Sequence, residues 1–223
     1  MTQMKHMPRD RAGASSAWVM PWNAEGLCNE SVRRSVELAS MAFSEATDGG
    51  DPQQLRTDLQ EGRSSHVRRR RAIAALSILG MAGMAVVSLF QVGLIRHLPD
   101  PPIRRFHSDK VNSSYSAYHY GVPDGPLSLA AHAVNLVLAG MGGASRARRA
   151  PWIPLLAAGK AAAGAGMAAR YLFYQMSVVE RAWCGYGLID ALAHIGTFAL
   201  SVPEAVEAAR EQFRSKSAQG RSS

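Results

Sequence analysis

Ala72 to Ile95 is a run of 24 residues without a formal charge, and Arg68-Arg69-Arg70-Arg71 stands directly before it. At about 1.5 Å per residue a helix of that length reaches roughly 36 Å, enough to cross a hydrocarbon core of about 30 Å with some tilt. A buried soluble helix so long and so uniformly apolar would be unusual, so the run predicts a transmembrane span. Gly80, Gly83 and Ser88 within it permit close approach of neighbouring helices.

Three more segments share this character. Gly125 to Ala144 is entered through Pro123-Asp124-Gly125-Pro126, with Asp124 placed to help cap the helix, and carries His132 and Asn135. Pro151 to Val179 is rich in Ala and Gly and contains Lys160 and Arg170. Trp183 to Val202 holds Asp190 and His194 and stops at Pro203. The predicted fold is all-α, a polytopic four-helix membrane bundle over 68–203, with spans at about 72–95, 125–144, 151–179 and 183–202. The stretch 96–124 is a hydrophilic connection whose prolines bar a regular helix at its start, and Tyr115, Tyr118 and Tyr120 suit a membrane–water interface. Residues 204–223 read as a polar tail.

The whole-chain averages hide this division: mean hydropathy is close to zero because 1–67 are polar. That extension carries Pro, Gly and Ser without a sustained period and reads as mostly disordered. One helix is predicted over 29–46, with Asn29 as N-cap and Val32, Val36, Ala39 and Phe43 on one face. Residues 53–67 read as a charged linker. The opening Met1 to Ser16 has no apolar core, so no secretory signal is expected. The net charge of +8 does not point to nucleic acid, because the arginines sit mainly beside apolar segments. Arg68–Arg71, Arg146, Arg148, Arg149, Arg210, Arg214 and Lys216 outweigh Arg96, Arg104, Arg105, Lys110 and Arg181 on the alternate face. Both termini are therefore expected in the cytoplasm, in a plasma or inner membrane.

A charge at mid-bilayer costs at least about 2.5 kcal/mol on insertion scales, so each intramembrane ionisable group needs a partner or a role. Asp190 and His194 are four apart and share a helix face, and His132 enters from the same side at similar depth. Lys160 approaches from the other side. Together they can be an ionic cluster that holds the bundle, a polar wall for a quinone headgroup, or, through His132 and His194, the axial ligands of a haem. No metal site is expected from two cysteines, Cys28 and Cys184, which are too few for a thiolate cage or a disulfide framework.

Two stretches carry a resemblance. Ser108-Asp109-Lys110-Val111-Asn112-Ser113-Ser114, followed by Gly121-Val122-Pro123, is similar to the Cys-x-x-Val-x-Ser-Ser loop of the vitamin K epoxide reductase family. Ala182-Trp183-Cys184-Gly185-Tyr186-Gly187 resembles the Trp-Cys-x-x-Cys that opens that family's last helix. The resemblance covers about 70–203. It implies a four-helix bundle around a quinone, a redox-active Cys-x-x-Cys disulfide centre at the outer end of the last helix, and a loop cysteine pair exchanging electrons with a thioredoxin-like protein. A pair is needed because one thiolate attacks and its neighbour resolves the adduct into a disulfide bond.

Here the loop cysteine position is Ser108, Ser114 is retained, and the second active-site cysteine is Gly187. Cys28 is expected across the membrane from Cys184. A dithiol relay within one chain is excluded by counting. Cys184 would act, if at all, as a lone thiol forming a mixed disulfide or a transient quinone adduct; alternatively it packs as a small apolar side chain. Two functions follow. One is a quinone-linked oxidoreductase by kinship, with redox turnover impaired or dependent on another thiol protein. The other is a non-catalytic membrane scaffold or sensor whose amino-terminal 67 residues contact a cytoplasmic partner; a haem bundle is a third.

Overall fold

The computed structural model describes residues 33, 34, 37, 52–119 and 121–219. The chain divides into two compact units, Met1–Ala42 and Phe43–Ser223. In the first, Arg33, Arg34 and Glu37 are helical, and Arg33 Nε lies 3.9 Å from Glu37 Oε1, one turn on. The remainder of the helix predicted over 29–46, with Asn29, Val32, Val36, Ala39 and Phe43, lies outside the described residues, as do Cys28 and Tyr120.

Regular structure in the second unit is helical among the described residues, apart from one isolated bridge. Helix α1, Pro52–Glu61, occupies most of the stretch expected to be a linker. It is tied to the next helix by Arg71, whose guanidinium donates to the carbonyls of Leu59 and Gln60. The unit thus begins well before the boundary expected at residue 67. Helix α2, Ser65–Gln91, starts earlier than the apolar run because the Ser64 hydroxyl caps it, accepting the His66 N–H at 3.3 Å. The four arginines are therefore helical, and the helix ends at Gln91 rather than 95. Its buried residues Val67, Arg70, Ile73, Ser77, Gly80, Met84 and Val87 recur every three or four positions, one stripe facing the other helices.

The loop that follows contains a short helix α3, Ser108–Asn112, and a 3-10 turn, Tyr115–Tyr118. Helix α4, Asp124–Gly140, is capped otherwise than the sequence suggests. Gln91, at the end of α2, accepts the Gly125 N–H at 3.0 Å and donates to Asp124 Oδ1 at 2.6 Å. After a one-turn helix α5, Arg146–Arg149, comes α6, Trp152–Arg170. It runs into ten residues of wider π-helix, Tyr171–Glu180, closed by Arg181 in the left-handed region. Helix α7 spans Gly185–Gln219 and passes through Pro203, where a stop was expected. Proline removes one backbone hydrogen bond, but the next turn is fixed from outside the helix: Glu204 is held by Arg146, and Glu207 by His66 at 2.7 Å.

The long helices pack α2 on α4, α2 on α7, and α6 on α7. One end of the bundle gathers the start of α2, loop 141–150 and the far part of α7: Arg70 donates to the carbonyls of Gly142 and Gly143, and Arg146 pairs with Glu204. At the other end, loop 92–123 meets the entry to α7. A parallel bridge joins Phe106 and Trp183, with the Trp183 N–H on Arg105 O at 2.8 Å and the His107 N–H on Trp183 O at 3.0 Å. Outward faces of every long helix are apolar, with Ile78, Leu79, Val137, Leu156, Phe173, Val178 and Leu192 all more than half exposed. In water such faces would carry a cost that lipid removes. Helix α2 and Gly185–Arg214 of α7 are long and apolar enough to cross a membrane.

Candidate functional site

Asp190, on the second turn of α7, organises a polar group among these helices. Its Oδ1 accepts from Ser128 Oγ at 2.6 Å and from His132 Nε2 at 2.9 Å, and His194 Nε2 stands 3.8 Å away. The spacing of Asp190 and His194 sets them on one face, and Ser128 and His132 repeat that four-residue step on α4. The two imidazoles stack with centroids 4.1 Å apart and planes 12° from parallel. Glycines make the room. A Cβ on Gly80 would overlap the His132 ring, and one on Gly164 would stand 3.0 Å from His194 Nδ1. Neither imidazole's Nδ1 has a hydrogen-bond partner, although both are buried.

Lys160 comes from α6 but does not touch Asp190. It donates to Asn135 Oδ1 at 2.6 Å and to the Ala131 carbonyl, one turn below the imidazoles. Of the four residues expected to cluster, the structure thus brings Asp190, His132 and His194 into contact and sets Lys160 beside them on a partner of its own.

These groups border a cavity of about 520 Å³. Lys160, Ser128, Asp190 and His194 line it, as do Tyr171, Gln175 and Gly187, and Tyr115, Ser116 and His119 of the outer loop. The volume lies within the roughly 300–1,000 Å³ of small-molecule sites. Ligand atoms of His132, Asp190 and His194 all fall within 4.8 Å of one another, a separation compatible with a metal ion. Imidazole lone pairs, however, lie in the ring planes, and two nearly parallel stacked rings do not aim both at one point. As arranged, the three residues are a hydrogen-bond set. A bis-histidine haem fits no better, since it needs the two rings on opposite faces of a macrocycle rather than against each other.

Cys184 sits at the N-cap of α7, fully buried. Its Sγ accepts the Gly187 N–H at 3.3 Å, the bond a serine or aspartate makes from that position, and also Asn112 Nδ2 at 3.2 Å. Among the described residues it is the only cysteine, and it is free of any disulfide. Asn112 is held in turn by Ser108 O at 2.7 Å.

The loop positions have other partners. Ser108 donates to Asp100 Oδ1 at 2.6 Å and its N–H to Oδ2 at 2.8 Å, so a carboxylate secures the residue at the loop-cysteine position. Ser114 Oγ bonds Val111 O at 2.8 Å and neighbours Ser116, which donates to Glu180 Oε1 at 2.7 Å. Lys110 reaches the Glu180 carbonyl at 2.5 Å. These contacts fasten the loop to the end of the π segment.

Gly187 shows what stands at the vacant cysteine position. A Cβ built there would lie 2.5 Å from Tyr171 Oη, 2.7 Å from Cε1 and 2.9 Å from Cζ. The tyrosine ring fills the place a second thiol would need. Ser128, Tyr171 and Gln175 were not singled out in the sequence. Ser128 had a signal, its four-residue step to His132, whereas the other two depend on π winding, which leaves no mark in the largely apolar run Tyr171–Glu180.

A family model described as the vitamin K epoxide reductase family matches residues 71–202. No curated protein and no solved structure matches the chain.

Proposed function

Because the chain belongs to the vitamin K epoxide reductase family, which is membrane-integral and quinone-linked, we propose that its bundle crosses the bilayer four times and holds a quinone headgroup in the cavity beside Asp190. Both termini lie in the cytoplasm on this reading, with the end built from Arg70, Arg146 and Glu204 inside and the loop over 92–123 outside. The observation that carries the proposal is the cavity itself: large, apolar through much of its wall, and bordered by an unpaired buried imidazole nitrogen.

A bound quinone would supply a two-electron acceptor. His194, positioned by the Asp190 carboxylate, would donate from its unpaired Nδ1 to one headgroup oxygen, while Ser128 and His132 back the set through their own bonds to Asp190. Lys160 adds a positive charge at the cavity's inner end. Dithiol chemistry within the chain is lost: Gly187 has no thiol, Ser108 offers a hydroxyl already bound to Asp100, and Cys184 is sealed. Turnover would need a thiol from outside, such as the thioredoxin-like proteins with which the family works. Purified full-length protein should co-extract a quinone and bind added quinone saturably. Absence of both would overturn the proposal.

One observation favours a second reading, a non-catalytic scaffold or sensor: the single thiol at the site is wholly buried and already accepts two N–H groups. On that reading Cys184→Ala leaves function intact while removal of residues 1–60 abolishes it. The reverse result would return the protein to redox chemistry.

A further inference from the structure

The π segment puts two donors on the cavity wall that none of the described residues satisfies. Tyr171, its first residue, and Gln175, four further on, both line the cavity. In the wider π winding, residues four apart stay close to one face. Among the described residues Tyr171 Oη has no hydrogen-bond partner, and Gln175 Nε2 is buried without one. Buried amide donors are seldom left unpaired, because the lost water bonds are not replaced. Filling space against Gly187 does not explain the tyrosine, since phenylalanine would do that equally; the hydroxyl is what remains to be accounted for.

We propose that Tyr171 and Gln175 are a donor pair that receives an acceptor oxygen of the cavity's ligand at the place where the second thiol of the motif would stand. The inference rests on the reading of the cavity as a quinone site and adds the contact at its outer end. Both donors are neutral, which suits the uncharged carbonyl of a quinone. The headgroup would then lie between this pair and the Ser128–Asp190–His194 set, one oxygen toward each. Gly187 is part of the same arrangement, because any larger residue would displace the phenol.

The test uses the full chain in lipid nanodiscs with duroquinone, whose fully methylated ring cannot alkylate Cys184. Binding is followed by quenching of tryptophan fluorescence. Tyr171→Phe keeps the ring against Gly187, and Gln175→Leu keeps the volume. Each should weaken binding about tenfold, the loss of one neutral hydrogen bond. The infrared carbonyl band of bound duroquinone should also rise in frequency in Tyr171→Phe, a change that a merely structural tyrosine would not produce. If the unaltered protein binds and both variants bind within about twofold of it with an unmoved carbonyl band, the donor pair is overturned and the cavity reading stands. If the unaltered protein does not bind at all, the cavity reading fails, and the pair with it.

Discussion

Helix α7 carries two carboxylates into the interior, Asp190 and Glu204, and their surroundings differ in kind. Around Glu204, Arg146 presents Nε and a terminal nitrogen at 2.8 Å each, and Arg70 Nε follows at 3.8 Å. Arg146 also donates to the Leu138 and Met141 carbonyls at 2.6 Å, and the space beside the group is about 20 Å³, room for a water or so. Around Asp190, the partners are a hydroxyl and two stacked imidazoles whose outer nitrogens have no partner, and the space is about 520 Å³. A buried charge with forked partners and scarcely any void holds helices together. One whose partners keep unpaired ring nitrogens beside a large void is equipped to bind something.

The largest expected effect tests the first half of that contrast. Glu204→Ala leaves two buried guanidinium groups without their carboxylate and should destabilise the protein by about 3–5 kcal/mol in equilibrium unfolding from detergent. Asp190→Asn, by contrast, should change stability by no more than about 1 kcal/mol. If the two variants unfold alike, the division into a holding end and a binding centre fails.

Next comes the vacant thiol position. Gly187→Cys alone forces the new side chain against Tyr171 and should cost about 1–3 kcal/mol, the usual penalty of overpacking. Under mild oxidation it should keep all three of its thiols free, Cys28 and Cys184 included. Combined with Tyr171→Ala, the same cysteine gains space, and positions three apart on a helix bring Cβ atoms to about 5–6 Å, near enough for a disulfide after a small adjustment. Thiol counting by mass spectrometry distinguishes the outcomes. Three free thiols in the double variant, rather than the single one of Cys28, would show that Tyr171 is not the obstacle.

A smaller effect belongs to the cavity: Asp190→Asn should weaken duroquinone binding about tenfold while leaving the fold intact. Equal affinity would remove Asp190 from the site.

The smallest lies in the outer loop. Despite burial, which acts to raise it, the Asp109 carboxyl is held below its usual 3.8 by the Leu98 N–H and by His97. A depressed carboxyl stabilises the fold above its unfolded value and loses that contribution as pH falls through the folded one. The protection of the Leu98 amide from exchange, taken relative to the intrinsic rate at each pH, should therefore fall only below about pH 3.8. Loss of that protection already near neutrality would show that the Asp109 carboxylate is not what holds the loop at Leu98.

How much of this was legible varies with the kind of signal. The apolar run after Arg71 marks α2 without ambiguity, because length and charge suffice. Asp190 and His194 could be paired from spacing alone, and His132 from depth. Arg70 and Arg146 were read as basic flanks of their spans; that each is only 3% exposed depends on where Glu204 arrives, which requires α7 to pass Pro203. The cap on α4 came from Gln91, 34 residues upstream of Gly125, beyond any local rule. Tyr171 and Gln175 were invisible for a related reason: a π segment has no separate hydropathy pattern, and which side chains it turns inward emerges only after the helices pack.

Gly187 and Tyr171 also bear on where this chain can go. A cysteine introduced first at 187 meets an aromatic ring; a smaller residue introduced first at 171 opens a gap in the cavity wall and discards the phenol. Neither order offers a neutral first step back to the two-thiol motif. The missing cysteine is thus less a vacancy awaiting reversion than a ratchet, with the tyrosine as its pawl.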